Sequence, residues 1–189
     1  MADIILPNQY EAEWLSDMKL DSIKSITPCL TRLHTIFRVR NIVISSLRLN
    51  THPGVILCCG STSTSHNQPR PFIIQAPIFD GPYVGTGDLF SALVVAQLDP
   101  HRDNLVPSDS VGATDLALAR ILEGVIASMQ GVLRNTKAAM DEQLEKDGDG
   151  KKFGEQQRHV NLMRAAELRL VTSQPSLLYP KIEFKACRI

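Results

Sequence analysis

Three apolar, β-branched runs lie close together between residues 41 and 76, and they decide what kind of core this chain can build. They are Asn41–Leu47 (N-I-V-I-S-S-L), 54–60 (G-V-I-L-C-C-G) and 71–76, and a polar, turn-forming stretch at 61–70 separates the last two. Runs of this length and composition read as buried strands. A fourth, shorter run at 3–6 stops at Pro7. Between and after the runs the spacing turns helical. Asn8 followed by Glu11 makes a capping box for a first helix, whose apolar side would be Tyr10, Trp14 and Leu15. Ile23, Ile26, Leu30, Leu33 and Phe37 predict a second helix over 21–38, which Pro28 would kink or interrupt. Further helices are predicted over 88–98, over 111–146 as one or two pieces, and over 155–171, with a last strand at 181–186. Strands and helices alternate early and helices dominate late, so the fold class is α/β with a helical C-terminal layer.

Composition removes several function classes. Lys+Arg and Asp+Glu are both 20, so the chain has no overall pull on nucleic acid or anionic membrane. No apolar run approaches the ~18 residues of a membrane span, and the first residues lack the basic segment of a signal peptide. The expectation is a cytoplasmic or nuclear protein forming one domain over 1–189, with no nucleic-acid and no membrane partner. Cys29, Cys58, Cys59 and Cys187 form no C-x-x-C pair, and as neighbours in a strand Cys58 and Cys59 must face opposite ways. Buried free thiols are expected. His34, His52, His66, His101 and His159 have no ligand spacing and are expected at the surface or in loops. Residues 145–154 are charged and glycine-rich and read as a flexible loop. Their resemblance to the start of a calcium-binding loop fails at Gln156, where a bidentate Glu is required.

One short motif carries chemistry. Gly85-Thr86-Gly87-Asp88 opens a helix, and two glycines there let a ligand approach backbone N–H groups that attract anions. No Lys follows, so this is no Walker A loop, and no third glycine completes a dinucleotide fingerprint. The same four residues also fit a plain helix entry with an acidic residue in its first turn.

The wider sequence separates these readings. Ala2-Asp3-Ile4-Ile5, Pro7-Asn8-Gln9-Tyr10-Glu11-Ala12-Glu13, Ile42-Val43-Ile44-Ser45-Ser46 and Val84-Gly85-Thr86-Gly87-Asp88-Leu89-Phe90 together resemble the pyridoxal kinase branch of the ribokinase-like superfamily. Glu167-Leu168-Arg169-Leu170-Val171 resembles its closing segment. The resemblance implies a three-layer α/β fold, represented by its C-terminal half, and an ATP-dependent transfer of phosphate to the hydroxymethyl group of pyridoxal, pyridoxine or pyridoxamine. It implies that Asp88 is the base and that Gly85, Thr86 and Gly87 form the anion hole. Asn8 and Glu11 would organise phosphates and a divalent cation such as Mg2+, Glu11 through water. Ser45 and Ser46 would sit under the ATP phosphates or a monovalent cation such as K+, and Tyr83 and Val84 would line the approach. A homodimer is also implied.

Two departures are local: Leu6 replaces a usual hydroxyl residue, and Ser45 a usual Thr. The third is large, because the family's N-terminal half supplies further strands and residues that hold the pyridoxal ring. If the sheet is parallel and buried on both faces, these 189 residues alone are expected to make little pyridoxal phosphate and to seek a partner over the strand at 3–6. A non-catalytic remnant is the alternative that this departure favours. A hydroxymethylpyrimidine kinase is the other, although such kinases more often carry Cys where Asp88 stands.

Overall fold

The computed structural model describes residues 2–98, 108–147 and 155–189. Five strands form one sheet in the order β1 (Ile4–Ile5), β2 (Asn41–Leu47), β3 (Val55–Thr62), β4 (Pro71–Pro77) and β5 (Ala186–Arg188). Only β1 and β2 are parallel, with Ile4 opposite Asn41; the other neighbours are antiparallel. The sheet is thus mixed rather than parallel. Both faces are nevertheless covered, because its strands alternate between two cores.

Ile42, Ile44, Leu57, Cys59 and Ile73 face one core, which α1 (Gln9–Ser16) and α2 (Ile23–Phe37) close with Ala12, Ile26, Leu30 and Leu33. Val43, Cys58, Phe72, Ile74 and Ala76 face the other, closed by α3 (Thr86–Gln97) and α4 (Ala117–Asp147) through Phe90, Val94, Leu122 and Val125. The result is the expected three layers. Cys58 and Cys59 fall in different cores, as strand geometry requires. Gly60 allows the sheet and α4 to come close: a methyl group there would overlap the Phe72 ring and press on Leu122.

Several expectations change in detail. Tyr10 and Trp14 are each 76% exposed; of the expected apolar side only Leu15 packs on the core, and the fully buried side of α1 is Ala12 and Ser16. These small residues let α1 lie close on α2, where the Cys29 thiol donates to Ser16 Oγ at 3.3 Å. Pro28 does not interrupt α2. Residues 145–147 end α4, and the rest of the expected loop lies outside the described residues. Helix α5 (Glu155–Ala165) stops before Glu167, which forms a parallel bridge to Val84. After the short α6 (Gln174–Leu178), the last strand begins only at Ala186, because Glu123 of α4 holds the Ala186 amide and the Lys185 amine just before it.

Cys29, Cys58 and Cys59 are buried, but Cys187 is exposed on the edge strand. His34 is fully buried, not at the surface. Its Nδ1 lies 2.8 Å from Val39 O and its Nε2 3.0 Å from Ser61 Oγ. The carbonyl can only accept, so Nδ1 carries the proton and Ser61 donates to Nε2. The ring is a neutral tie between α2 and β3, and burial holds its pKa below the ordinary histidine value. Among the described residues no helix is long and apolar enough to cross a membrane.

Candidate active site

The site begins with an irregularity in β2. Its register against β3 pairs Ile44 with Cys59 and then Leu47 with Leu57, so Ser45 and Ser46 together oppose Cys58. This is a β-bulge, and it places both serines on the α4 side of the sheet, where both line a cavity of about 220 Å³. Ser45 N–H donates to Pro7 O at 2.9 Å, which ties the bulge to the turn leaving β1. Gln9 extends this tie by accepting from Arg48 N–H at 2.9 Å.

The second component is the glycine turn. Gly85 is the N-cap of α3 with φ +82, a left-handed conformation that glycine adopts without the strain a side chain brings. The first intrahelical bond runs from Leu89 N–H to Gly85 O at 3.0 Å. The amides of Thr86, Gly87 and Asp88 therefore precede the helical ladder and are available to an anion. Thr86 and Gly87 line the same cavity as the serines, and nothing lies within 4 Å of a methyl group built on Gly87. Protein packing does not demand a glycine there. A ligand lying against the backbone would.

Asp88 sits in the first turn of α3 and is exposed. Among the described residues no side chain hydrogen-bonds or ion-pairs with its carboxylate. The turn is held from behind: the Val84–Glu167 bridge fixes its start, and Tyr83 packs on Met140, Ala165 and Ala166 while also lining the cavity. The E-L-R-L-V segment thus supports the turn, with Arg169 N–H donating to Thr136 Oγ1 of α4 at 3.1 Å.

Ser45, Ser46, Tyr83, Thr86 and Gly87 are therefore brought into one cavity, while Gly85, Val84 and Asp88 flank it. Asn8 and Glu11 are not in its wall. They satisfy each other in a capping box, Glu11 N–H to Asn8 Oδ1 at 2.9 Å and Asn8 N–H to Glu11 Oε2 at 2.8 Å. Their place next to Pro7 keeps them near the serine bulge. Leu6, at the position of the departure, packs against the core shared by α3 and α4 and is not in the cavity wall.

Sequence reasoning missed the rest of the wall. Pro77, Ile78 and Phe79 leave β4 along one side, and Ile126, Met129, Gln130 and Leu133 of α4 form another. The i, i+3, i+4, i+7 spacing of the α4 residues was the available signal, with Gln130 as the polar interruption. Arg48 also lines the cavity, and none of the ion pairs among the described residues includes it. Cys58 lies at the floor, where burial pushes its thiol up to about 12, so it is no nucleophile. The cavity joins a polar rim of serines and helix-start amides to an apolar slot, which suits a flat ring carrying an anionic tail.

No protein-family model matches the chain. Similarity to curated proteins covers nearly all of it. A Schizosaccharomyces pombe relative is 31% identical over 186 residues, covering 96% of this chain and 53% of the relative. The pyridoxal kinase of Arabidopsis thaliana is 29% identical over 189 residues, covering 100% of this chain and 51% of its own. That of Ovis aries is 30% identical over 195 residues, with 98% and 54% covered. The chain thus spans about half the length of the curated relatives it matches. Among solved structures, Plasmodium falciparum PdxK with AMP-PNP and PL superposes with a TM-score of 0.68 at 22% identity, over 100% of this chain and 50% of that one. Pyridoxal kinase from Leishmania donovani in complex with ADP gives 0.67 at 22% identity, over 100% and 52%.

Proposed function

We propose that this chain, a pyridoxal-kinase-like protein of the ribokinase superfamily, supplies the nucleotide side and the phosphoryl-transfer turn of an ATP-dependent pyridoxal kinase. The observation that carries the reading is the single cavity in which Ser45, Ser46, Thr86 and Gly87 meet an apolar slot. In the proposed step the hydroxymethyl oxygen of pyridoxal attacks the γ-phosphorus of ATP. Asp88 takes the alcohol proton, the bond to the β-phosphate oxygen breaks, and ADP leaves. A carboxylate with no partner among the described residues is suited to that proton, and such base catalysis contributes roughly 10²–10⁴-fold. The free amides at the start of α3, contributed by the Gly85, Thr86 and Gly87 turn, stabilise the charge that spreads over the transferring group. Ser45, Ser46 and the Arg48 guanidinium would hold the remaining phosphates.

Among the described residues no group of three His, Cys, Asp or Glu side chains could cage a metal ion. Mg2+ is usually bound by one or two carboxylates together with substrate phosphates and water. Glu11 would hold it through water, since Asn8 N–H engages only one of its carboxylate oxygens; the cation would neutralise phosphate charge. A monovalent cation such as K+ would sit beside Ser45 and Ser46. Pyridoxine and pyridoxamine are further substrates on this reading, and a homodimer is its assembly.

The test is calorimetric titration of the chain with Mg-ATP, followed by an assay for pyridoxal phosphate. The reading expects saturable nucleotide binding. It also expects Asp88→Asn to lower the turnover of any pyridoxal phosphorylation by about 10²–10⁴-fold while nucleotide affinity is retained. Absence of nucleotide binding, or near-normal turnover of the Asp88→Asn protein, would overturn it.

A further inference from the structure

One half-buried side chain at a helix start makes two long-range bonds. Gln9 opens α1, at a position where helix formation itself asks for no particular polar residue. Its Oε1 accepts from Arg48 N–H at 2.9 Å, 39 residues away, and its Nε2 donates to Leu20 O at 2.9 Å. A carbonyl can only accept and a backbone N–H can only donate, so the amide has one orientation. Leu20 is a firm base for it. Leu20 is 2% exposed in the α2 core, and its own N–H donates to Glu13 Oε1 at 3.0 Å. Arg48 has no strand to serve it instead. The β1–β2 pairing ends at Ile42 and the β2–β3 pairing ends at Leu47, so Arg48 N–H lies beyond both ladders. Pro7 O still accepts from Ser45 N–H as the chain leaves β1, and for Arg48 the Gln9 side chain takes the place of a strand carbonyl.

We propose that Gln9 is a positioning residue for nucleotide binding: it fixes the backbone of Arg48, and so presets the guanidinium that holds phosphate. The inference rests on the reading of this cavity as the nucleotide site and adds the group that prepares its cationic wall. Arg48 is the one cationic residue in that wall. An arginine fork gives strong bonds to phosphate only where its direction matches the oxygens. Its side chain is long, and a mobile backbone beneath it would add to the ordering cost of each binding event. With the backbone tied through Gln9 to Leu20, that part of the ordering is complete before the ligand arrives. The serines do not depend on Gln9, because Ser45 N–H is held by Pro7 O. Gln9 is not in the cavity wall itself, so its effect on the ligand passes through Arg48.

The experiment titrates Mg-ATP calorimetrically into the wild-type chain, Gln9→Leu, Arg48→Met and the double variant. Leu suits a helix and removes both bonds of Gln9, and Met keeps an apolar stem in place of Arg48 without its charge. Arg48→Met should weaken Mg-ATP binding by about tenfold or more, the loss of a charge-assisted contact, and Gln9→Leu by about three- to tenfold. In the Arg48→Met background Gln9→Leu should cost less than about twofold more, because no guanidinium remains to be placed. A merely structural role would add the same loss in both backgrounds. Gln9→Asn, whose amide stops one methylene short, should lose affinity as Gln9→Leu does, and it carries the test if that variant does not fold. In the wild-type chain the Arg48 amide should exchange with solvent about tenfold or more slowly than in an unstructured chain. Wild-type affinity in Gln9→Leu, Gln9→Asn or Arg48→Met, a full additional loss in the double variant, or an unprotected Arg48 amide would each overturn the role of Gln9 and leave the cavity's assignment standing. No binding of Mg-ATP by wild type would remove the assignment and the role together.

Discussion

The two glycines of the turn invite opposite outcomes from the same substitution. A methyl group at Gly87 meets nothing within 4 Å, and the backbone there is not left-handed. Alanine in place of a helical glycine restricts the unfolded chain and favours the helix, a gain of about 0.4–1 kcal/mol. Gly85 is different, because φ of +82 costs an L residue about 1–2 kcal/mol even though its Cβ would also meet open space. In a chain of this size about 1 kcal/mol moves the melting temperature by about 2–4 °C. Gly87→Ala should therefore melt about 1–4 °C higher than wild type, and Gly85→Ala about 2–8 °C lower.

Nucleotide binding should not follow stability. In the proposed site a phosphate lies against the Gly87 backbone, so the space a methyl group would fill is the ligand's. Mg-ATP affinity should then fall by about tenfold or more in the stabilised Gly87→Ala protein, because a group that must touch the amide is held away from it. Thermal melting and calorimetric titration of the two variants side by side give both quantities. A Gly87→Ala protein with raised melting temperature and wild-type affinity would refute the reasoning, since no phosphate would then approach the turn. A Gly87→Ala protein that melts well below wild type would mean that α3 does not begin as described.

Two further outcomes follow from buried groups. Burial holds the His34 pKa below its ordinary 6.5, so the unfolded state binds the extra proton first and stability should be full above about pH 6.5 and decline as pH falls below it. Denaturant titrations between pH 8 and pH 5 check this against His34→Gln, which should lose most of the decline; an equal slope in both would assign it to other groups. Alkylation with iodoacetamide at mildly basic pH should modify Cys187 alone in the folded chain, because burial raises the thiols of Cys29, Cys58 and Cys59. Mass spectrometry reporting early modification of Cys58 would show that the floor of the cavity is open to reagents.

Most of the fold was legible because its signals are local. The β-branched runs became β2, β3 and β4, and the capping residues Asn8 and Glu11 mark the start of α1 as the spacing predicts. What failed depended on distant partners. Tyr10 and Trp14 look like the inward side of α1 only until α2 is known, since the Ser16–Cys29 contact turns the small residues inward. His34 lies on the apolar stripe of α2, four residues after Leu30 and three before Phe37, but the Ser61 hydroxyl that makes its burial tolerable lies 27 residues away. Strand direction was legible only in part: the turn-forming stretch at 61–70 is too short for a crossover and suits the antiparallel pair β3–β4, whereas an apolar run buried on both faces by itself reads alike in a parallel and an antiparallel pair.

The site divides along the same line. The turn at 85–88 was legible because it makes a demand on its own backbone, which glycine meets without strain at Gly85. The apolar wall was not, because Pro77, Phe79, Met129 and Leu133 look like ordinary core until the sheet and α4 are set side by side. The serine bulge lies between these cases. Strict alternation after Ile44 would send Ser45 toward α4, Ser46 toward α2, and Leu47 toward α4. With Ser45 and Ser46 opposite the single residue Cys58, both hydroxyl residues line the cavity and Leu47 returns to the α2 core. One inserted residue thus provides two polar groups on the same face and repairs the apolar pattern beyond them. A strand that paired without the slip would have to bury Ser46 against Leu30 and Leu33 and turn Leu47 toward the cavity. The apolar demand of the α2 core therefore holds the bulge in place, and the geometry of the candidate phosphate site is enforced from the opposite side of the sheet.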